Sequence, residues 1–162
     1  MVNHLSHRYV FMTDQFDSEL AWASDFEATI IVLRGTELHG RAWASLLARL
    51  RRIKRPVLLH AHAGSGLNVT QRGQLADAIH HQAPVAVLAE DKGGRELGMA
   101  LRWLGADATV FTPDQLLGAA AKLGLEAAHL SSSLRALGRA GLDLQAVDQK
   151  LQAYSSGVFG GL

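Results

Sequence analysis

The chain has 162 residues, which is enough for one domain and too few for two independent cores. Its 16 Lys and Arg residues against 15 Asp and Glu residues leave a net charge of +1, so no strong field points to a nucleic acid or an anionic membrane. The absence of cysteine excludes disulfides, thiolate nucleophiles and Cys-ligated metals. No apolar run approaches the ~20 residues that span a bilayer, and the first residues lack the order of a signal peptide, so we expect a cytoplasmic protein.

Strand-like and helix-like segments alternate along the chain. Short β-branched apolar runs, typical of strands buried on both faces, predict strands at 28–33, 57–61, 85–89 and 108–111. Apolar residues at helical spacing predict helices at 37–54, at 68–79, at 93–104 and from 112 to about 123. Residues 8–13 are typical of an edge strand, and residues 14–27 of an acidic connection.

The ends of two predicted helices carry specific signals. Asn68, followed three residues later by Gln71, is the pattern of a capping box. The segment Thr112-Pro113-Asp114-Gln115 combines a cap residue, a proline at the first helical position and a glutamine at the third. Gly124 suits the left-handed conformation that ends many helices.

The alternation of strands and helices predicts the architecture. Strands separated by single helices require parallel crossovers, so we predict an α/β fold with an open, mostly parallel sheet of about five strands and helices packed on it. Residues 126–154 contain no strand candidate and show two amphipathic helical stretches, at 130–137 and 144–154. We therefore divide the chain into an α/β domain, residues 1–125, and a C-terminal helical extension with a tail, residues 126–162. The candidate interaction surface is an apolar stripe of this extension, formed by Leu134, Leu137, Leu144, Val147 and Leu151.

Polar side chains at the ends of two predicted strands form a candidate ligand-binding site. His60 and His62 share one face of a strand, a spacing that can bind metal. No third ligand lies near them in the sequence, unless folding brings in His39 or the pair His80-His81. Ligands of open α/β sheets bind beyond the carboxyl ends of strands, where both histidines lie. Lys92 and Arg95 stand near the start of the following helix, where backbone N–H groups favour phosphate or carboxylate. We therefore predict an anion or small-molecule pocket formed by His60, His62, Ser65, Lys92 and Arg95, without a metal or cofactor; the alternative is a set of ordinary polar residues where strands emerge.

Gly64-Ser65-Gly66 lies in the turn between a strand and a helix. It matches neither the dinucleotide fingerprint, nor the P-loop, nor the nucleophile elbow of hydrolases. Ser65 stands near a helix N-terminus, where the backbone dipole favours an added phosphate or a bound anion; the alternative is a flexible turn with no further role. A hydrolase that uses Ser65 with His60 or His62 and a carboxylate such as Asp91 is a further alternative, since catalytic triads are defined by geometry and not by sequence order.

The order of elements resembles the STAS domain (sulfate transporter and anti-sigma-factor antagonist), in particular the bacterial SpoIIAA-like or STAS/SEC14-like branch. The resemblance covers about residues 8–125 and rests on that order and on three segments. These are Asn68-Val69-Thr70-Gln71-Arg72, then Pro84-Val85-Ala86-Val87-Leu88 followed by Arg95, and Leu101-Arg102-Trp103-Leu104 before Phe111-Thr112-Pro113. The resemblance implies a regulatory or protein-binding module and not an enzyme. In anti-sigma-factor antagonists a partner kinase phosphorylates a serine at the start of the second helix. The resemblance therefore implies two candidate phosphorylation residues, Ser65, which is the closest match in position, and Thr70, which lies a turn into the helix region; the segment around Ser65 differs from the Asp-Ser-Ser/Thr-Gly pattern of phosphorylated members.

Two functions follow as expectations. The first is a non-enzymatic, cytoplasmic regulatory module that binds a protein partner, a second copy of itself as a homodimer, or both. The alternative is a domain that binds a small molecule or anion, such as a nucleotide, a phosphate or a lipid, at the strand ends. We expect no nucleic-acid partner and no integral membrane segment. The tryptophans at 22, 43 and 103 are expected to pack against helices or the sheet edge, whereas an exposed tryptophan would indicate a partner surface.

Overall fold

A computed structural model describes residues 19–38, 40–79 and 81–137 of the chain. In these ranges the strands are β1 (Leu20–Ser24), β2 (Thr29–Leu33), β3 (Val57–Ala61), β4 (Pro84–Ala89) and β5 (Asp107–Phe111). The helices are α1 (Gly40–Arg52), α2 (Val69–Ala78), α3 (Lys92–Trp103), α4 (Leu116–Leu123) and α5 (Ala127–Leu137), and a short 3-10 helix at Pro113–Gln115 precedes α4. None of the described helices is long and apolar enough to cross a membrane.

The strands form one sheet in chain order, β1-β2-β3-β4-β5. β1 is antiparallel to β2, and the three pairs from β2 to β5 are parallel. The fold is therefore the predicted α/β class with an open, mostly parallel sheet. Because each crossover from β2 to β5 adds the next strand on the same side, crossovers of one hand place α1, α2 and α3 on the same face of the sheet.

Two apolar cores lie on opposite faces of this sheet. Alternate residues of a strand point to opposite faces of the sheet. Because a core covers each face, β2 and β3 are buried along their whole length. The strand residues of the core under α1, α2 and α3 include Leu20, Trp22, Ile31, Leu33, Leu59 and Val87. Those of the core under α4 and α5 include Ala21, Ala23, Ile30, Val32, Leu58 and Leu88. The chain after β5 therefore covers the face that the crossover helices leave open.

The predicted helix-capping signals are confirmed. The Gln71 N–H donates to Asn68 Oδ1 at 2.7 Å, and the Asn68 N–H donates to Gln71 Oε1 at 3.0 Å, which completes the capping box of α2. Ahead of α4, the Thr112 N–H donates to Gln115 Oε1 at 2.8 Å. Gly124 ends α4 with a φ of +71°, in the left-handed region that glycine adopts without strain.

The first strand differs from the prediction. β1 lies inside the segment 14–27 that was predicted as an acidic connection, while the predicted edge strand at 8–13 lies outside the described residues. All five residues of β1 are buried, with Trp22 on one face of the sheet and Ala23 on the other. The segment Leu-Ala-Trp-Ala-Ser contains no β-branched residue, so its composition does not predict a strand. Pairing with β2 and burial stabilise the strand. The first helix is also shorter than the predicted 37–54, since α1 spans Gly40–Arg52.

Helix α5 shares its core with the sheet. Leu134 and Leu137, which were predicted as part of an interaction surface, are 0% and 1% exposed and pack in the core of α4 and α5. His129 Nε2 lies 3.0 Å from Asp25 Oδ2 in the connection between β1 and β2. The boundary predicted after residue 125 therefore falls between two helices of one core, and both leucines are used within the domain. The remaining predicted surface residues, Leu144, Val147 and Leu151, lie outside the described residues.

Candidate functional site

The candidate site lies at the carboxyl ends of β3 and β4. Ala61 pairs with Ala89 in the parallel register, so the next residues, His62 and Glu90, leave the sheet side by side. The Glu90 N–H donates to the Ala61 carbonyl at 3.2 Å, and the His62 N–H donates to the last carbonyl of β2 at 3.0 Å. His60, the fourth residue of β3, points to the same face of the sheet as Leu58, which packs in the α4–α5 core.

Three side chains, those of His60, His62 and Glu90, meet at this edge, and we call them the His–Glu cluster. His60 Nε2 lies 2.8 Å from Glu90 Oε2, and the two imidazole centroids are 4.3 Å apart with the ring planes at 51°. The Ala63 N–H donates to the other carboxylate oxygen, Glu90 Oε1, at 3.0 Å, which fixes the orientation of the carboxylate. One metal-ligating atom from each of the three residues lies within 4.8 Å of the other two.

Burial holds both imidazoles in their neutral form. His60 is fully buried, and its burial, aided by the charges of His62 and Arg34, lowers its pKa to about 4 against the opposing effect of Glu90. Burial also lowers the pKa of His62, with Glu90 opposing and Arg34 adding to the effect. A neutral imidazole has one nitrogen that carries a lone pair. Two ring nitrogens of the cluster, His60 Nδ1 and His62 Nε2, are buried and have no hydrogen-bond partner.

The loop after β3 is fastened to the start of α3 through Asp91. The Gly64 N–H donates to Asp91 Oδ2 at 2.9 Å, and the Gly94 N–H donates to Asp91 Oδ1 at 3.1 Å, so Asp91 caps α3. These backbone hydrogen bonds lower the pKa of the Asp91 carboxyl. The N-terminus of α3 therefore holds a carboxylate of its own chain at the place where the sequence predicted an external anion.

The structure separates the predicted pocket residues into two groups. His60 and His62 meet in the cluster, and Ser65 lies in the loop that follows them. Lys92 and Arg95 lie on the exposed first turn of α3, where Lys92 is 80% exposed and its Nζ lies 3.8 Å from the Glu96 carboxylate. The two cationic side chains are therefore exposed to solvent on α3, whereas the histidines lie against the Glu90 carboxylate.

Glu90 completes the cluster and was missed by sequence reasoning. It belongs to a different strand–helix unit from the histidines, so no local spacing connects them. Its position carried the only usable signal: residues that directly follow neighbouring parallel strands lie at the same edge of the sheet. Glu90 follows β4 as His62 follows β3.

The two candidate phosphorylation residues have different surroundings. Ser65 is buried, and its Oγ–H and its backbone N–H both donate to the His62 carbonyl, at 2.7 and 3.0 Å. Its hydroxyl proton is therefore directed to a backbone oxygen, whereas the hydrolase alternative requires an imidazole acceptor. Thr70 is exposed in the first turn of α2.

The chain matches no protein-family model, no curated protein and no solved structure.

The chemistry of the site follows from its geometry. Two neutral imidazoles beside a carboxylate are electron-pair donors, which suit a cation. The carboxylates of Glu90 and Asp91 at the same strand ends repel an anion.

A second feature lies at the other end of α3. Trp103 is 85% exposed, and its neighbours Met99 and Leu104 are 57% and 54% exposed. Met99, Arg102 and Trp103 line a shallow groove of about 430 Å³. We call the four residues Met99, Arg102, Trp103 and Leu104 the Trp103 surface. Trp22 and Trp43 are buried, as predicted, whereas Trp103 is exposed, which indicates a partner surface.

Proposed function

We propose that the chain is a non-enzymatic regulatory module of STAS type, bacterial and cytoplasmic, which acts by binding a protein partner. The open α/β sheet supports this proposal at the level of fold. The single observation that carries it is the Trp103 surface, because a nearly fully exposed tryptophan among other exposed apolar side chains is costly in water and typical of binding sites.

The size of the surface favours a small partner element. An exposed tryptophan offers roughly 200 Å² for burial. A standard interface buries about 800 Å² on each partner. Trp103 with two flanking side chains therefore suits the anchor point of a short partner segment, and a stable homodimer needs a larger face.

Charge indicates the chemistry of that segment. Arg102 lies between the apolar side chains and lines the groove with Met99 and Trp103. Leu104 also lines a second groove of about 420 Å³, together with Arg51 at the end of α1. We therefore expect a partner segment with an apolar side chain that packs on Trp103 and with carboxylates that reach the arginines.

The test compares three baits made from the full chain: the native protein, Trp103→Ala and Val69→Ala. Val69 is the matched control, because it is 82% exposed at the opposite end of the fold, in the first turn of α2. Proteins captured by the native bait are identified by quantitative mass spectrometry, purified and titrated against all three baits. A buried tryptophan anchor is worth at least ~2 kcal/mol, so we expect roughly 30-fold weaker binding for Trp103→Ala and unchanged binding for Val69→Ala.

Two outcomes contradict the proposal. One is a set of partners whose affinities are the same for the native chain and for Trp103→Ala. The other is a concentration-dependent dimer in light scattering that Trp103→Ala abolishes, with no other partner affected, because it would assign the surface to a second copy of the chain.

A further inference from the structure

We propose that His60, His62 and Glu90 form a binding site for one divalent metal ion of the zinc class. The site is independent of the proposed partner surface. It lies where the ligands of open α/β sheets bind, at the carboxyl ends of the two neighbouring strands β3 and β4.

The separations fit a metal after a small adjustment. Zinc with nitrogen and oxygen ligands at ~2.0–2.2 Å holds them roughly 3.3 Å apart in a tetrahedron. In the structure the ligating atoms of the cluster all lie within 4.8 Å of one another, and His60 Nε2 already lies 2.8 Å from Glu90 Oε2. A metal ion would replace the hydrogen between these two atoms, and a rotation of the third side chain would close the remaining distance to the ion. No other trio of histidine and carboxylate side chains in the described ranges comes this close.

The ligand chemistry selects the class of ion. Two imidazoles and one carboxylate are the ligands of many zinc sites, and they leave one position for water or an added ligand. Magnesium and calcium prefer sites built from oxygen ligands alone. The Glu90 side chain is 21% exposed and His62 is half-buried, so an ion has a path from solvent to the cluster.

A buried ring nitrogen without a hydrogen-bond partner distinguishes a metal site from a contact that is only structural. The His60–Glu90 hydrogen bond alone explains neither why the His62 ring lies against the His60 ring nor why His62 Nε2 is buried without a partner. A buried polar atom without a partner costs free energy, and each such atom in a native protein calls for an explanation. A metal ion supplies that explanation for His62, since it takes the Nε2 lone pair that no donor satisfies. The nearby positive charge of Arg34 opposes a dication, so we expect that the site needs all three ligands.

The experiment titrates the untagged full chain with Zn²⁺ against a competing chromogenic chelator, and with Co²⁺ followed by visible absorption. The variants are Glu90→Gln, His62→Gln and His60→Gln, and the matched control is His81→Gln, which removes an exposed histidine outside the cluster. Loss of a second-shell residue typically weakens metal binding 10- to 100-fold, so loss of a direct ligand should weaken it at least ~100-fold. We expect one zinc per chain, a tetrahedral Co²⁺ spectrum, and loss of both in the three cluster variants but not in His81→Gln.

Glu90→Gln and His62→Gln keep the test decisive if His60→Gln does not fold, because their side chains are only partly buried. Circular dichroism establishes that each variant is folded before its affinity is compared. Zinc affinity that is unchanged in Glu90→Gln and His62→Gln would assign the ion to other histidines and overturn the proposal. Failure of the native chain to bind Zn²⁺ or Co²⁺ at all would overturn it as well.

Discussion

Replacing Gly94 with alanine tests how closely α3 packs on the sheet beside the His–Glu cluster. A Cβ at Gly94 would lie 2.9 Å from Ala89 Cβ, 3.1 Å from Ala89 Cα and 3.2 Å from Ala61 Cβ. None of these atoms can rotate away, because each is fixed by the backbone of a central strand, so the start of α3 would have to move. Overpacking of this kind costs ~1–3 kcal/mol, and alanine recovers less than ~1 kcal/mol through its higher helix propensity. We expect Gly94→Ala to lower the free energy of unfolding by about 1–2 kcal/mol.

The matched control is Gly73→Ala in the interior of α2. A Cβ at Gly73 meets no atom within 4 Å, so the same substitution there should raise the free energy of unfolding by about 0.5–1 kcal/mol. Urea unfolding of both variants, followed by circular dichroism, measures the difference, which we expect to be about 1.5–3 kcal/mol. Equal stabilities for the two variants would refute the close contact of α3 with β3 and β4, and with it the placement of Asp91 beside the cluster.

Three further predictions concern burial, capping and packing. In chelator-treated protein, the free energy of unfolding should fall by up to roughly 3 kcal/mol as the pH drops from 6.5 to about 4, because the unfolded chain binds a proton at His60 that the folded chain excludes. The fall should be smaller in His60→Asn, and identical pH profiles for the two proteins would contradict the burial of a neutral ring. Asn68→Ala should cost about 1 kcal/mol through loss of the α2 capping box, whereas Asn68→Asp should preserve stability, as measured by urea unfolding. Leu134→Ala should cost about 2–5 kcal/mol, against less than about 0.5 kcal/mol for the exposed neighbour Ser132→Ala, and a negligible cost of Leu134→Ala would remove α5 from the core.

The central strands were predictable because burial on both faces demands a recognisable composition. Val57-Leu58-Leu59-His60-Ala61 and its neighbour at 84–89 are apolar runs without charge, bounded by turn residues, and both appear as strands within a residue of the predicted ends. β1 was not predictable in this way, because two alanines and a serine have low strand propensity and only their pairing with β2 makes them a strand.

The candidate site was half predictable for a related reason. The two histidines lie on one strand, so their shared face follows from the period of a strand. Glu90 joins them only through the order of strands in the sheet, which local sequence does not specify. The exposure of Trp103 was within reach of the sequence: Leu97 and Leu101 form the buried stripe of α3, and a residue two positions beyond Leu101 lies about 200° around the helix, on the opposite side.

The two proposed sites are separated by the full length of one helix. α3 has 12 residues and is therefore about 18 Å long, with the His–Glu cluster next to its first turn and Trp103 as its last residue. Effects at sites more than about 10 Å apart, without shared contacts, usually add independently. Glu90→Gln should therefore leave partner affinity unchanged, and Trp103→Ala should leave zinc affinity unchanged. A variant that altered both affinities would indicate that α3 shifts on the sheet, against the close approach of Gly94 to β3 and β4, where an added Cβ would lie 3.2 Å from Ala61 Cβ and 2.9 Å from Ala89 Cβ.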